Sequence, residues 1–178
     1  YESMGKFEKA KKQYDIASLI DPNINDIHLC LAKLETKFGD YDLAINKLIS
    51  LKKNPIKTGG QKYDICKVLA NIYKIIGKLK KSIEFSEEAY KYKPTWEATS
   101  VDDAVALAHL YFKTGNDQKA EKAIEKSAKL FPSSASESML SAFKNIIMAS
   151  IDIEKENYEK VLKSVSMIEK FSMDYGFM

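Results

Sequence analysis

The residues able to catalyse a reaction or bind a metal are few and widely spaced in this sequence. Among 178 residues there are two histidines, His28 and His109, and two cysteines, Cys30 and Cys66. Neither histidine has a serine, cysteine or carboxylate at a spacing that marks a catalytic triad or a metal centre. His28 and Cys30 are two residues apart, so on a helix their side chains diverge. The sequence therefore predicts no catalytic site, no bound metal and no cofactor.

The two cysteines are too few to form a disulfide framework. Cys30 and Cys66 both lie among apolar neighbours, which predicts buried free thiols. No apolar run is long enough to cross a bilayer, so we expect no membrane segment in these residues. Together these features favour a cytoplasmic location.

The charge composition argues against a nucleic-acid partner. The chain has 28 basic and 25 acidic residues, a net charge of +3 and a pI of 8.6, which is only mildly basic for a nucleic-acid binder. All 28 basic residues are lysine, so the forked guanidinium that reads bases and phosphates is absent. Tyrosine and phenylalanine could stack on bases, but their spacing places most of them in a helical core.

Helix pairs that recur along the chain must position any site. Gly5, Gly39, Gly77 and Gly115 are 34, 38 and 38 residues apart, and each follows a helical apolar pattern and precedes another. The third and fourth units share the most marks: Leu69, Ala70, Tyr73, Gly77 and Pro94, then Leu107, Ala108, Tyr111, Gly115 and Pro132. This pattern at a period near 34 resembles the tetratricopeptide repeat (TPR) family.

The resemblance implies an all-α fold, a right-handed α-α superhelix (a TPR-like solenoid) of antiparallel helix pairs. We expect a single array over residues 1–178, with repeats at approximately 1–22, 25–55, 63–94, 101–132 and 137–172. The turn glycine of the last pair is replaced by Glu156-Asn157, and a loop is expected over residues 54–61. Because the repeat register starts in mid-helix, we expect the chain to be a fragment of a longer protein.

The resemblance also implies where a ligand binds, because first helices of such pairs line a concave surface. By repeat register, eight residues face this groove: Lys33, Lys37, Lys67, Asn71, Lys74, His109, Phe112 and Lys113. The lysines make the groove positive, which suits a protein or peptide with acidic residues. We therefore expect a non-catalytic protein-interaction module with a scaffold or adaptor role. The alternative is that these lysines only keep the groove hydrated and that no ligand binds there.

Some family members grip a C-terminal carboxylate with lysine, asparagine and arginine on successive first helices. Lys67 and Asn71 match the first two members of that set. Ala106 stands where the next asparagine would be, and Phe143 and Ile147 replace basic residues. The resemblance therefore does not imply a clamp for chaperone tails.

Two other roles are compatible with the sequence. The apolar C-terminal part could stack on a copy of itself, with an assembly surface that includes Phe143, Ile146 and Phe171. The chain could also be the regulatory segment of a larger enzyme.

Overall fold

Every described element of the chain is an α-helix. The computed structural model describes residues 5–53, 59–92, 101–128, 133–154 and 156–175, with side chains except at 101–102, 127–128, 133–139, 154, 158 and 169–175. Within these ranges there are nine helices and no strand: α1 (Phe7–Ile20), α2 (Asn25–Phe38), α3 (Tyr41–Lys53), α4 (Gly59–Ile75), α5 (Leu79–Tyr92), α6 (Val101–Lys113), α7 (Asp117–Ala128), α8 (Ser133–Glu154) and α9 (Tyr158–Tyr175). The predicted all-α fold is confirmed.

The helices form two compact units, Tyr1–Thr95 with α1 to α5 and Trp96–Met178 with α6 to α9. Within each unit every helix packs on the next one in sequence, and α2 also packs on α4, as α6 does on α8. Contacts restricted to near neighbours are the packing of a helical solenoid. A single continuous array over residues 1–178 stays a prediction.

One turn geometry joins the two helices of a pair. At Gly39 the backbone φ is 86°; the Gly39 amide donates to the Thr36 carbonyl at 3.3 Å, and the Asp40 amide donates to the Glu35 carbonyl at 2.9 Å. This pair of bonds needs a positive φ, which glycine adopts without strain. The same two bonds recur at three further turns: Gly77, Gly115 and Glu156. The last pair therefore keeps the turn although Glu156, at φ 56°, is not glycine.

The two helices of a pair approach closely at small residues that are twelve positions apart. Ala32 on α2 and Ala44 on α3 are both fully buried. In the next pair the Ser82 hydroxyl donates to the Ala70 carbonyl at 2.8 Å, which satisfies the one polar group in the contact. Ala108 and Ala120 occupy the same positions in the second unit. Larger side chains would force the helices apart, because interiors are packed to crystal density.

The third repeat starts earlier than the sequence analysis predicts. The sequence predicts a loop at Gly59 and Gly60, but they form the first turn of α4. A side-chain bond anchors this extra turn, because the Gln61 amide donates to the Asp26 carboxylate on α2 at 3.0 Å. Helix α8 likewise starts at Ser133, before the predicted start of the fifth repeat near residue 137.

A second contact between the two helices of a pair also joins residues twelve positions apart, and its chemistry differs from pair to pair. Tyr73 and Phe85 stack with ring centroids 5.4 Å apart and an interplanar angle of 6°. At the positions 38 residues earlier, Glu35 forms an ion pair with Lys47 instead. Glu35 is 2% exposed, and its Oε2 has no hydrogen-bond partner among the described residues. The second pair therefore holds a buried charge where the third pair holds an aromatic contact.

The buried ion pair of Glu35 and Lys47 predicts that single and double variants have opposite effects on stability. Lys47→Met should lower the free energy of unfolding by about 3 kcal/mol, because it leaves the Glu35 carboxylate buried without its counter-charge. Glu35→Tyr with Lys47→Phe, which transplants the stacked pair, should match or exceed the wild-type stability. Urea unfolding followed by far-UV circular dichroism measures both. Lys12→Met on the exposed surface of α1 is the control, and equal stability of Lys47→Met and Lys12→Met would refute the argument.

Candidate functional site

In the first unit, lysines are exposed on α2 and α4, each of which is the first helix of a helix pair. Helices α2 and α4 pack on each other, and the bond from Gln61 to Asp26 brings their N-terminal ends together. Buried residues cover most of both helices, so each leaves one stripe accessible. These stripes carry five of the predicted groove residues, all exposed, which we call the lysine face: Lys33, Lys37, Lys67, Asn71 and Lys74.

The spacing of these residues explains why they share a surface. Lys33 and Lys37 are four apart on α2, and Lys67, Asn71 and Lys74 follow each other at four and three residues on α4. Residues three or four apart lie on the same side of a helix. Each stripe is therefore continuous, and the packing of α2 on α4 sets the two stripes side by side.

The charges on this face are unevenly distributed along the helices. Asp26 and Asp64 are exposed near the N-terminal ends, whereas Lys37 and Lys74 lie in the last turns. The helix dipole favours Asp26, Lys37 and Lys74 by about 0.3–1 kcal/mol each, whereas Asp64 lies beyond the first turn of α4. The dipole does not account for mid-helix lysines, because its effect is confined to the terminal turns.

Lys33 and Lys67 are the two mid-helix lysines of the face. The Lys67 ammonium group donates to the Tyr63 hydroxyl at 3.1 Å and lies 5.1 Å from the centre of that ring. A long side chain held by two contacts loses less conformational entropy when a ligand binds. The geometry thus fixes one positive charge at the centre of the face.

In the second unit the predicted groove residues differ in their exposure to solvent. Lys113 is exposed and Phe112 is half-buried at the end of α6. His109 is only 7% exposed, so the expectation that it faces a ligand is corrected. The reason is that α7 and α8 both pack on α6, and its neighbours Ala108 and Leu110 are buried as well.

The residues predicted for an assembly surface also differ in their exposure to solvent. Ile146 is exposed on α8, whereas Phe143 is buried in the core of the second unit and offers no surface. The side chain of Phe171 lies outside the described residues. Phe143 lies thirteen residues before the turn at Glu156, as the exposed Asp64 does before Gly77, so register alone predicts an outward side chain. Its burial is a property of the packing of α8 on its neighbours.

Two segments of the chain, residues 63–95 and 104–134, match the sequence model of the tetratricopeptide repeat family. These two segments are tetratricopeptide repeats. The turn glycines Gly77 and Gly115 both lie in the matched segments, as do the small-residue contacts that begin at Ala70 and Ala108. None of the curated proteins matches the sequence.

Solved structures share the fold over almost the whole chain. The crystal structure of MamA is 19% identical over 97% of this chain and 94% of that chain, with a TM-score of 0.63. A second crystal structure of MamA protein has 19% identity, a TM-score of 0.62 and covers 98% of this chain and 88% of that one. For BtubC (BKLC) from P. vanneervenii the identity is 15%, the TM-score 0.61 and the coverage 96% and 72%. At these identities the similarity shows the fold alone.

The matched repeat at residues 63–95 contributes three of the five residues of the lysine face, Lys67, Asn71 and Lys74. The other two lie on α2, which precedes the matched segments. In the described part of the chain no three histidine, cysteine or carboxylate side chains gather as a metal site would require. Among the described residues, no helix is long and apolar enough to span a membrane.

The cysteines of the repeats are free thiols in different environments. Cys30 is half-buried on α2, whereas Cys66 is fully buried on α4. Burial raises the pKa of the Cys66 thiol from an ordinary value near 9.0 to about 11; the negative charge of Glu88, to which the thiol donates a hydrogen bond, adds to this, and the Lys52 ammonium group opposes it. A thiol with so high a pKa is a poor nucleophile at neutral pH. Cys66 is therefore a structural residue, as the apolar sequence context predicts.

The raised pKa of Cys66 predicts how stability changes in alkaline solution. Between pH 9 and pH 11 the unfolded chain loses the Cys66 proton while the folded chain keeps it. The free energy of unfolding should therefore fall as the pH rises through this range. In Cys66→Ala the fall should be smaller, and Cys30→Ala is the matched control. Urea unfolding at several pH values measures the slopes, and equal slopes for Cys66→Ala and wild type would contradict the prediction.

Proposed function

We propose that this chain is a non-catalytic protein-interaction module that binds an acidic segment of a partner protein on its lysine face. The observation that carries the proposal is the pair of exposed mid-helix lysines, Lys33 and Lys67, for which the helix dipoles give no reason. The tetratricopeptide repeats support a protein-interaction scaffold in general terms. The acidity of the ligand is inferred from the charges of the face.

The lysine face is suited to reading charge on a short segment. It presents four ammonium groups and the Asn71 amide on two adjacent helices. Asn71 offers both a donor and an acceptor, so it can bond to the backbone of an extended peptide. Ammonium groups supply attraction without the fixed fork of arginine, so they tolerate several carboxylate positions. We therefore expect recognition of acidic character more than of one strict sequence.

The affinity expected from such a face is moderate. Each exposed charge pair contributes about 1 kcal/mol or less, because water and salt screen it. Electrostatic complementarity acts chiefly on association rate and on discrimination against like-charged partners. Binding should accordingly weaken as salt is raised.

The ligand's aliphatic side chains have a candidate contact on the same unit. Ile75 follows Lys74 on α4 and is exposed at the end of the stripe. Four residues separate it from Asn71, so both lie on the same side of the helix. An acidic peptide with an aliphatic residue could thus place its charges on the lysines and its apolar side chain on Ile75. We include this contact in the proposal.

Charge reversal on the lysine face tests the proposal. The probes are two fluorescent peptides of equal length, one of glutamate and leucine and one of lysine and leucine, with binding read by fluorescence anisotropy. Lys33→Glu with Lys67→Glu should weaken binding of the acidic peptide about thirtyfold, since two reversals cost about 2 kcal/mol. The far-UV circular dichroism signal should stay unchanged because both side chains are exposed.

The control changes net charge equally at another surface. Lys9→Glu on α1 and Lys80→Glu on α5 replace exposed lysines near helix N-termini, where glutamate is favourable. This double variant should bind the acidic peptide nearly as wild type does, apart from a small general loss. If both double variants lose equal affinity, only net charge matters and the lysine face is not the site. Equal binding of the acidic and basic peptides to wild type would also refute the proposal.

A further inference from the structure

Exposed side chains form a straight line along α2. Asp26 and Lys33 are seven residues apart, and Lys37 follows four residues later. Because seven residues make nearly two helical turns and four make about one, the three side chains lie on the same side of the helix. All three are exposed. The line therefore runs from a negative charge near the N-terminus of α2 to two positive charges in its second half.

A second line on α4 has the same spacing. Asp64, Asn71 and Ile75 are again seven and four residues apart, each 38 residues after its counterpart on α2, and all three are exposed. Lys67 lies beside this line one turn after Asp64, and Lys74 lies beside it next to Ile75. The order along α4 is therefore also acidic and then basic, with an apolar side chain at the end.

The two lines have their acidic ends together. Helices α2 and α4 pack on each other, and the Gln61 side-chain amide donates to the Asp26 carboxylate at 3.0 Å. Gln61 precedes Asp64 by three residues, so the two aspartates lie within about one helical turn of the same level. We call Asp26 and Asp64 the negative end of the lysine face.

The helix dipole does not account for this negative end as a whole. Asp26 lies in the first turn of α2, but Asp64 lies beyond the first turn of α4, where the dipole has little effect. A face that bound only acidic groups would be weakened by these two carboxylates, because like charges repel. Their position instead suits a ligand that carries a positive group at this end.

We propose that the partner segment lies lengthwise along α2 and α4 and is recognised by the order of its charges. Its basic residues contact the negative end, its acidic residues contact the lysines, and its aliphatic residue contacts Ile75. This inference rests on the proposed function and adds the binding direction and the basic residues. A segment that crossed the two helices would meet only one level of the face, so the order of its charges would not matter.

The dimensions of the face suit a short extended segment. Asp26 and Lys37 are eleven residues apart, which is about 16 Å at a rise of about 1.5 Å per residue. An extended chain covers that length with about five residues at about 3.3 Å each. Its successive side chains point to opposite sides, so one side can contact α2 while the other contacts α4. A pair of like charges in the segment thus gives one side chain to each helix.

Two peptides of equal composition test the order of charges. The ordered peptide consists of two lysines, a serine, four glutamates and a leucine. The shuffled peptide exchanges the two lysines with the first two glutamates, which puts the lysines in the middle whichever way the peptide runs. Both have blocked ends and the same fluorescent label. Anisotropy titrations with the 178-residue chain at low salt should show at least tenfold tighter binding of the ordered peptide, and equal affinities would overturn the proposal.

Neutral variants of the negative end test its role. Asp26→Asn with Asp64→Asn keeps an oxygen that accepts the Gln61 hydrogen bond. The preference for the ordered peptide should fall to about threefold or less, because its lysines lose their partners and the end glutamates of the shuffled peptide are no longer repelled. A preference that stays at its wild-type value in this variant would contradict the proposal.

The matched control changes the net charge equally on other helices of the same unit. Asp42→Asn with Glu84→Gln alters exposed carboxylates of α3 and α5, so the preference should stay at its wild-type value. An equal loss in both double variants would show that only net charge matters and would overturn the proposal. The far-UV circular dichroism signal of both should match that of wild type, because all four side chains are exposed.

Failure of this inference and failure of the proposed function give different results. If wild type binds the peptide of glutamate and leucine but does not distinguish the ordered peptide from the shuffled one, the acidic-ligand site stands and the lengthwise arrangement is wrong. If wild type binds none of these peptides, both are wrong.

Discussion

Close approach of two helices at a pair of small residues is the constraint on which the rest of this structure depends. Where Ala32 meets Ala44, and Ala70 meets Ser82, the backbones come near enough for the larger side chains around them to interdigitate. The turn at Gly39 or Gly77 fixes the other end of the pair. With the spacing between helices set at two points, each first helix is covered on most sides, and the stripe left open is narrow. The lysine face exists because of this geometry.

The second contact between residues twelve positions apart shows that the side-chain chemistry can vary once the spacing of the helices is set. Tyr73 with Phe85 and Glu35 with Lys47 fill equivalent positions with opposite chemistry, yet the turn that follows has the same two hydrogen bonds. Asp152 and Ser164, both buried, occupy the same relative positions in the last pair. The backbone arrangement thus tolerates aromatic, ionic and small polar pairs. Its stability comes from the small-residue contact and the surrounding aliphatic core more than from any one of these pairs.

The fold was predictable from the sequence because its determinants are local and repeated. Glycine at a left-handed turn and alanine at a close contact leave little choice of replacement, so they recur visibly in the sequence. Glu156 shows the limit of this reasoning. It is not glycine, yet it adopts the same conformation with the same two backbone hydrogen bonds, and no sequence pattern predicts them. The early start of α4 is accompanied by a bond from Gln61 to Asp26 in another repeat, and such a long-range contact leaves no periodic mark.

The candidate site was harder to predict because burial depends on neighbouring helices rather than on register alone. Lys33, Asn71 and His109 are spaced 38 residues apart and were assigned to one groove, but the first two are exposed and the third is buried. Register states which side of a first helix a residue occupies, but the packing of the other helices within its unit determines how much of that side is covered. Because α8 is a 22-residue helix that packs on α6, it changes the surface of the second unit without changing its repeat pattern. The surface of such a protein can therefore differ from repeat to repeat, at positions that leave the shared helix contacts intact.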